Sequence, residues 1–594
     1  MKKKILSFTF VICICLNLLA VSPLSVFAEE SGTCGDNLTW TLSGNTLTIS
    51  GTGDMYDYNS DTEVPWYQIK DDIYYLVIDN GVTSIGNYAF YQVTHITDVT
   101  IPTGVKSIGN YAFYECSKLK NIIGADGVVS VGESAFSYCS NLKSIVLADS
   151  LTSIGGHAFC NCSALESISI PSGVKAIEYA TFSDCSSLSS VIIPNGVTSI
   201  GQSAFMYCSS LNNITIPASV STIGPFVFTW CNINISVDEG NQYYSSLDGV
   251  LFNKDKTAII EYSKDTMQPE YTIPSSVTTI EKGAFSSCDD LAKITIPGSV
   301  KYIKEGALQA CKSLTSVTIP EGVISIGRNA FTMCTGLTSL SIPSTVSSIE
   351  IQAFTYCGSL NIYVDENNKY YSSFDGVLFN KEKTEIIEYT KDKSTPNYTV
   401  PYGVTSFAWP SFDTRTDLTS ISFPDSVKTI DYGTFWNCTK LKTVTLSDSV
   451  NIIEDSAFYG CGSLTDVYYT GTQEQWEQIS IGKNNTYLQN ATIHYNCLPD
   501  QSRPVCQING AVASADKMTV YVSSSLGAVN NTMLIAKYKS GILIGLTEKQ
   551  IDLSADSNEV VFENFAKGNA DTIKIMLWSR AEPFKPLCGE YTIL

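Results

Sequence analysis

Residues 185–205 read C-S-S-L-S-S-V-I-I-P-N-G-V-T-S-I-G-Q-S-A-F, and this stretch contains one structural repeat. Leu188, Val191 and Ile193 have the spacing that puts apolar side chains on one face of a short strand. Pro194 ends the strand because its nitrogen carries no hydrogen for a β-ladder. A segment this short cannot enclose its own apolar side chains. Neighbouring coils must therefore stack to make a core.

The second half of the repeat supplies another inward pair, Val197 and Ile200, and then a tight helical turn that is predicted to bury Phe205. This phenylalanine position recurs every 23 residues within blocks of seven, four and three repeats. Its members are Phe90, Phe113, Phe136, Phe159, Phe182, Phe205 and Phe228, then Phe285, Leu308, Phe331 and Phe354, then Phe412, Phe435 and Phe458. A period in the range of 20 to 29 residues indicates a leucine-rich-repeat solenoid.

Twelve of the 19 cysteines lie three residues after the repeat phenylalanine. One small, weakly hydrogen-bonding side chain per coil predicts a buried structural ladder. The alternative is a set of disulfides, which this many cysteines would ordinarily suggest in an exported protein. A row of free thiols also predicts surroundings with little oxidant. The ladder positions are Cys116, Cys139, Cys162, Cys185, Cys208, Cys231, Cys288, Cys311, Cys334, Cys357, Cys438 and Cys461.

The 23-residue period is interrupted twice, where 57 and 58 residues separate consecutive phenylalanines. The two inserts, near residues 232–271 and 359–398, carry closely similar segments at 243–252 and 370–379. Alternating apolar residues about a turn predict β-hairpins, which we interpret as bends or protrusions.

Metal binding has little support in the sequence. Only Cys160-Asn161-Cys162 approaches the spacing of a zinc site. The acidic runs at 238–241 and 365–368 could offer oxygen ligands to calcium, but they lack a recognised loop spacing, and Asp, Asn and Gly together are ordinary turn residues. We therefore predict no metal and no cofactor, and we favour the turn interpretation.

The pattern C-x-x-L-x-x-I-x-I-P-x-x-V-x-x-I-G, followed by the repeat phenylalanine, is seen at residues 208–228 and resembles the BspA-like leucine-rich repeats of bacterial surface proteins. Residues 34–40, 49–53 and 65–67 look like the lead-in of that family, and the resemblance covers roughly residues 34–496. The resemblance implies an extracellular adhesion or recognition protein, because family members are associated with binding host matrix proteins and other cells.

Composition and turn residues divide the chain further. Lys2, Lys3 and Lys4, an apolar run and the small-x-small site at residues 26–28 are typical of a secretory signal peptide. Residues 38–49 predict a hairpin about a Gly-Asn turn, and 508–594 contain several short alternating strands typical of an immunoglobulin-like β-sandwich. The predicted domains are 1–28 signal peptide, 29–82 N-terminal cap, 83–470 solenoid with the two inserts, 471–498 C-terminal cap, 499–507 linker and 508–594 β-sandwich module.

Charge and motifs narrow the function. Removal of residues 1–28 takes away three lysines and no acid, which changes the formal charge from −21 to −24. This balance disfavours nucleic acid and anionic membranes as partners. No later segment has the roughly 20 apolar residues of a transmembrane helix. The three histidines, His95, His157 and His494, have no nucleophile motif beside them, so we predict that the protein is not an enzyme.

Two sets of residues are candidate binding positions. The first is the outward residue at the centre of each strand, although Thr, Val and Ile favour strands whatever they contact. The second is the aromatic residue just before a ladder cysteine, which could anchor a ligand or pack between coils. The strand set is Thr100, Val146, Ser169, Ile192, Thr215, Thr295, Thr318, Ser341, Ser422, Thr445 and Tyr468; the aromatic set is Tyr138, Tyr207, Trp230 and Tyr356, with Tyr114, Trp436 and Tyr459 one residue earlier.

The sequence thus predicts a secreted or surface-associated repeat protein that binds an extracellular protein, on host matrix or on another cell. The alternative is a carbohydrate-binding accessory protein that uses the repeat aromatics and the C-terminal module.

Overall fold

The computed structural model describes residues 30–262, 269–390, 396–401 and 403–497, and in the C-terminal part 506–513, 517–524, 528–539, 542–553, 557–563, 572–579 and 591–593. The predicted signal peptide and most of the predicted linker lie outside these residues. The repeats form a β-solenoid of about 17 turns of roughly 23 residues with little helix, as the period predicts. The chain divides into two compact units, the first ending at Asp255 and the second beginning at Lys256.

Each coil of the first unit contributes two short strands. The first strand of each coil pairs in parallel with the first strand of the next coil, so that Ser167 lies opposite Ser190. Ile168, the central residue of its strand, is buried in the core. The first strands are Tyr75–Ile78, Asp98–Ile101, Asn121–Gly124, Ser167–Ser169, Ser190–Ile192, Asn213–Ile216 and Asn234–Val237. The second strands are Gly53–Asp54, Val82–Ile85, Ser107–Ile108, Ser130–Val131, Ser153–Ile154, Ala176–Ile177, Ser199–Ile200 and Thr222–Ile223; Tyr244–Leu247 and Val250–Asn253 form a hairpin.

The second unit repeats this arrangement. Its first strands are Glu270–Thr272, Lys293–Thr295, Ser316–Thr318, Ser339–Ile342, Asn361–Val364, Asn397–Thr399, Ser420–Ser422, Thr443–Leu446, Asp466–Tyr469 and Thr492–His494. Its second strands are Ala258–Glu261, Thr279–Ile280, Tyr302–Ile303, Ser325–Ile326, Ser348–Ile349, Ser406–Phe407, Thr429–Ile430, Ile452–Ile453 and Ser480–Ile481. The second insert adds Tyr371–Phe374, Val377–Asn380 and Glu385–Glu388, an antiparallel meander whose last strand joins the row of second strands.

The segment around the repeat phenylalanine, which we call the Ala-Phe turn, is not helical. The residues two before and two after the phenylalanine have left-handed backbones, as in Tyr111 (φ 55°) and Glu115 (φ 57°) around Phe113. The N–H groups of these three residues donate to carbonyl oxygens one coil further along, at 2.7 to 2.8 Å. The predicted helical turn is therefore wrong, because left-handed residues cannot continue a right-handed helix and the inter-coil hydrogen bonds hold them in place.

Each insert adds an aromatic ring that contacts the repeat phenylalanine of the following coil. Tyr262 and Tyr389 lie 23 residues before Phe285 and Phe412, and the ring centroids are 5.0 and 4.7 Å apart. Each insert thus contains the phenylalanine position of its own coil, occupied by tyrosine. The insert strand Val377–Asn380 places three fully buried side chains in the core, so it is not a simple protrusion.

A buried asparagine fixes the start of each insert hairpin. Asn241 Nδ2 donates to the carbonyl oxygens of Pro217 and Val220 at 2.8 and 2.9 Å, and its Oδ1 accepts two backbone N–H groups at 2.8 Å. Asn368 makes the same four hydrogen bonds in the second insert. Asp238 and Asp365 each accept the N–H group two residues on, which supports the turn interpretation of these acidic runs.

Short elements flank the repeats. The first unit begins with the antiparallel strands Glu30–Gly35, Leu38–Ser43 and Thr46–Gly51, which confirms the predicted hairpin, and with 3-10 helices at Asp61–Glu63 and Tyr67–Asp72. Trp66 takes the phenylalanine position before Phe90, and its indole N–H donates to the carbonyl oxygen of Ala89 at 2.8 Å.

After the last repeat come the helices Gln473–Trp476 and Thr486–Gln489, and the buried Asn485 lies immediately before the second helix. Asn485 Oδ1 accepts the N–H of Phe458 at 2.9 Å, and its Nδ2 donates to the carbonyl oxygens of Glu454 and Gly482 at 2.8 and 3.0 Å. One side chain therefore supplies the hydrogen bonds that a following coil would make.

The C-terminal part contains two antiparallel sheets. Strands Cys506–Ala513, Lys517–Ser524 and Ser557–Glu563 form one sheet, and Ala528–Lys539, Ile542–Leu553, Thr572–Ser579 and Tyr591–Ile593 form the other. The strands predicted from the sequence in this part are therefore present.

Candidate functional site

The outward strand row is largely open to solvent. Thr100, Val146, Ser169, Ile192, Thr215, Thr295, Thr318, Ser341 and Tyr468 are exposed, and Thr445 is half-buried. Most members are small or hydroxylated and make a flat surface.

Ser422 is the one residue of the predicted strand row that is buried. Its side chain is only 7% exposed, and all three residues of strand Ser420–Ser422 are buried. The neighbouring Ser420 hydroxyl donates to Asn397 Oδ1 at 2.6 Å. The expectation that Ser422 faces outward is wrong because both faces of this strand are packed, so its side chain offers no surface to a ligand.

The four predicted aromatic residues that directly precede a ladder cysteine occupy the second left-handed position of the Ala-Phe turn, two residues after the repeat phenylalanine. Tyr138, Tyr207, Trp230 and Tyr356 have φ values between 60° and 65°, and the three tyrosines are exposed while Trp230 is half-buried. Of the positions one residue earlier, Tyr459 is exposed, and Tyr114 and Trp436 are half-buried. The phenylalanine two residues earlier is buried in the core, whereas the left-handed residue keeps its side chain at the surface.

Five tyrosines in the first coils form one surface, which we call the tyrosine shelf: Tyr88, Tyr91, Tyr111, Tyr114 and Tyr138. The ring centroids of Tyr88 and Tyr111 are 4.9 Å apart, as are those of Tyr91 and Tyr114, with interplanar angles of 13° and 4°. Tyr138 contacts Tyr114 at 5.5 Å. Partial burial raises the pKa of Tyr114 to about 12, so the hydroxyl is protonated at neutral pH.

A polar row borders the tyrosine shelf. Lys70 Nζ donates to Gln92 Oε1, and Gln92 Nε2 donates to Glu115 Oε2, both at 2.7 Å. Three of the shelf residues were not among the predicted positions. Their signal in the sequence is the repeated segment N-Y-A-F-Y at 87–91 and 110–114.

Further aromatic pairs lie on the same kind of turn. Tyr207 and Trp230 stack at 5.5 Å with an angle of 11°, and in the second unit Trp436 and Tyr459 contact at 4.5 Å. These contacts join neighbouring coils, so the rings pack between coils, and a role in anchoring a ligand stays a prediction.

Each ladder cysteine is a free thiol whose Sγ donates to the carbonyl oxygen 26 residues earlier, at 2.8 to 3.2 Å. In most cases the acceptor belongs to the repeat phenylalanine of the preceding coil. All are buried except the half-buried Cys288. Burial raises the pKa of the Cys139, Cys162 and Cys185 thiols well above the usual range, so these groups are poor nucleophiles.

A buried charged cluster occupies the coil of the second insert. Glu388 stands where most other coils have alanine, is 5% exposed, and accepts a hydrogen bond from Thr355 Oγ1 at 3.2 Å. Burial raises the pKa of the Glu388 carboxyl to about 8, although Thr355 and Arg415 partly oppose the shift.

Arg415 completes this cluster. It lies three residues after Phe412, where most coils have a ladder cysteine, and that departure from the pattern is its signal in the sequence. Its Nη1 donates to the carbonyl oxygen of Gly358 at 3.2 Å and its Nη2 pairs with Asp417 Oδ2 at 3.0 Å. The guanidinium also lies 5.4 Å from the centre of the Tyr389 ring. These bonds tie the insert to the coils on either side.

Within the described ranges, no helix combines the length and apolar character that crossing a bilayer requires. In the same part of the chain, no three side chains of His, Cys, Asp or Glu are grouped to hold a metal ion.

Stacked coils, a repeated phenylalanine core and surface aromatics define a leucine-rich-repeat solenoid protein. The chain belongs to the BspA-type leucine-rich repeat family, whose model matches residues 66–189, 130–254, 261–382 and 383–498. No curated protein matches the chain.

Solved structures with similarity include bacterial repeat proteins. A leucine-rich cell surface protein from Faecalibacterium prausnitzii is 26% identical, with 76% of this chain and 97% of that chain covered and a TM-score of 0.44. A leucine-rich repeat protein from Eubacterium ventriosum is 23% identical, with 80% and 97% covered and a TM-score of 0.35. The pneumococcal vaccine antigen PcpA is 18% identical, with 79% and 99% covered and a TM-score of 0.38.

Proposed function

We propose that the protein is an exported, non-enzymatic recognition protein that binds extracellular proteins through its repeat surface, without a cofactor. The observation that carries this proposal is the tyrosine shelf. Tyrosine presents a large amphipathic surface with few rotatable bonds, and aromatic residues dominate the energetics of protein interfaces. Because the rings of Tyr91 and Tyr114 already stack on one another, little side-chain entropy is lost when a partner binds.

The remaining parts of the chain have supporting roles in this proposal. Residues 1–28 direct export, the caps at 29–82 and 471–498 cover the terminal coils, and 499–507 link the solenoid to the module at 508–594. The two antiparallel sheets of that module support an immunoglobulin-like sandwich. The exposed members of the strand row are a second, flatter contact surface.

A second candidate function is binding of carbohydrate. It is favoured by the stacked, nearly parallel rings of Tyr207 and Trp230, since a sugar ring can stack on the exposed face of such a pair. Tryptophan fluorescence titrated with polysaccharides tests it, because a sugar that covers Trp230 would change the emission.

The leading proposal is tested on an array of extracellular matrix proteins and glycans. The full mature protein is compared with a Tyr91→Ser, Tyr114→Ser variant and with a control variant, Tyr302→Ser, Tyr370→Ser, in which two exposed tyrosines of the second unit are replaced. Binding to a matrix protein that is lost in the first variant and kept in the control supports the proposal. Equal binding by all three proteins, or binding to glycans alone, contradicts it.

A further inference from the structure

A groove of about 960 Å³ runs across stacked coils of the first unit, beside the tyrosine shelf. One hydroxyl per coil lines it, from Ser84, Ser107, Ser130 and Ser153, and glycines lie between them. At Gly109 a Cβ atom would lie 2.6 Å from the backbone nitrogen of Asn87, so only glycine permits this close stacking of coils. The groove is therefore lined by a row of hydroxyls together with the aliphatic residues Ile85, Ile108, Val131 and Ile154.

The side chains on one bank of the groove are held in place by a hydrogen-bonded chain. Asp57 Oδ1 accepts the N–H of Asn87 at 2.9 Å, Asn87 Oδ1 accepts that of Asn110 at 2.7 Å, and Asn110 Oδ1 accepts that of Glu133 at 2.8 Å. Each bond uses one oxygen of the side chain. The second carboxylate oxygen of Asp57 and the amide groups of both asparagines are left to face a ligand.

The charge of the groove has one sign. Asp57, Glu133 and Glu178 line it, and no lysine or arginine does. At a spacing of about 4.8 Å per coil, Glu133 is about 14 Å from Asp57 and about 10 Å from Glu178. His157 and Tyr179 line the groove near Glu178, and their rings meet edge to face at 4.8 Å. Low-dielectric walls lined by a single sign of charge concentrate the opposite charge.

The tyrosine shelf adds a second feature that attracts cations. Tyr88 and Tyr111 directly follow Asn87 and Asn110 in the chain, and their rings stack at 4.9 Å. A guanidinium group can pair with a carboxylate and also stack on an aromatic ring. Glu133 lies on the coil that follows the coil of Tyr111, and Asp57 on the coil that precedes the coil of Tyr88, so the stacked rings lie between these two carboxylates along the groove.

We propose that this groove binds an extended segment of a protein partner that is rich in arginine and lysine. The inference rests on the proposed function, protein recognition, and names the chemistry of the ligand. The distance from Asp57 to Glu178, about 24 Å, matches about seven extended residues. Basic side chains of the segment pair with the three carboxylates, and its backbone groups hydrogen-bond to the serine hydroxyls and asparagine amides. An acidic segment is repelled.

The test uses the full mature protein and a fluorescein-labelled octapeptide of alternating arginine and serine, with binding measured by fluorescence anisotropy. The groove variant is Asp57→Asn, Glu133→Gln, Glu178→Gln, in which the asparagine at 57 keeps the acceptor for the backbone of Asn87. A control variant with the same change of charge in the same unit is Asp126→Asn, Asp149→Asn, Glu166→Gln, all exposed and outside the groove.

We expect the groove variant to bind the peptide at least tenfold more weakly than the unmodified protein, and the control variant to stay within about twofold. Equal weakening in both variants would mean that overall charge attracts the peptide, and no weakening in the groove variant would mean that it binds elsewhere; either result overturns the assignment. Groove-dependent binding of a chitosan oligosaccharide without binding of the peptide would also overturn it.

Failure of this inference and failure of the proposed function give different results. If matrix proteins bind equally to the unmodified protein and the groove variant, the proposed function stands and the groove assignment fails. If the peptide binds through the groove and no protein on the array binds, the groove assignment stands and the proposed function fails.

Discussion

Replacement of the buried Glu388 by glutamine is expected to stabilise the second insert at neutral pH. Glutamine has nearly the same shape and keeps an oxygen that can accept the hydrogen bond from Thr355. The substitution also removes a buried ionisable carboxyl that lies near Asp413. Burial raises the pKa of Asp413 as well. The effect must depend on pH, because only the wild-type side chain titrates.

The magnitude follows from the pKa of Glu388, which burial raises from 4.5 to about 8. The neutral form is favoured in the folded state, so its contribution to stability is fully present below pH 4.5 and is lost as pH rises through 8. The free energy of local unfolding falls by about 1.4 kcal/mol per pH unit in this window. At pH 7 the loss reaches about 3 kcal/mol, which Glu388→Gln should recover.

Hydrogen exchange of peptides from residues 377–389, followed by mass spectrometry between pH 4.5 and 8 and corrected for intrinsic rates, measures this local stability. We expect wild-type protection to fall about tenfold per pH unit and the variant to show a much shallower slope, which leaves the contributions of Asp413 and Glu385, whose pKa values burial also raises. Glu382→Gln, an exposed acid of the same insert, is the control and should behave as the wild type. Parallel slopes in all three proteins would refute the assignment of the buried carboxyl.

Three other perturbations test the fold. Asn485→Ala removes the acceptor of the Phe458 N–H and leaves buried groups unpaired. The free energy of local unfolding of the last coils, measured by hydrogen exchange, should therefore fall by about 2 to 4 kcal/mol. The control Asn490→Ala, at an exposed position, should change it little. Gly109→Ala forces a contact of 2.6 Å with backbone and should lower the melting temperature of the first unit, while at Gly298 the nearest atom is 3.7 Å away and alanine should be tolerated. The ladder thiols should react with a thiol reagent only after unfolding in denaturant, and rapid reaction of most of them in the native protein would contradict their burial.

The repeat architecture could be predicted from the sequence because its signal is local. Leu188, Val197 and Ile200 are buried as their spacing indicates, and the family assignment is confirmed. Tyr262 and Tyr389 also keep the 23-residue period, but the pattern hid them because tyrosine replaces phenylalanine and glutamate replaces alanine.

Other features depend on contacts between coils that no single repeat reveals. The left-handed backbone of Tyr111 and Glu115 is held by hydrogen bonds to the next coil, and neither residue type favours that conformation. The packing over Ser422 and the grouping of the shelf tyrosines likewise arise only when distant segments stack. The predicted binding roles of the strand row and the aromatic set stay predictions.

In both units, the backbone N–H groups of the Ala-Phe turns that bond between coils donate toward the following coil, so a row of coils has a head and a tail. At the head, Trp66 supplies a donor to the waiting carbonyl oxygen of Ala89; at the tail, Asn485 supplies an acceptor to the waiting N–H of Phe458. The two caps are therefore chemical opposites and could not exchange places. A chain that lost both would expose complementary ends, and such molecules would join end to end into filaments whose growth has a fixed polarity.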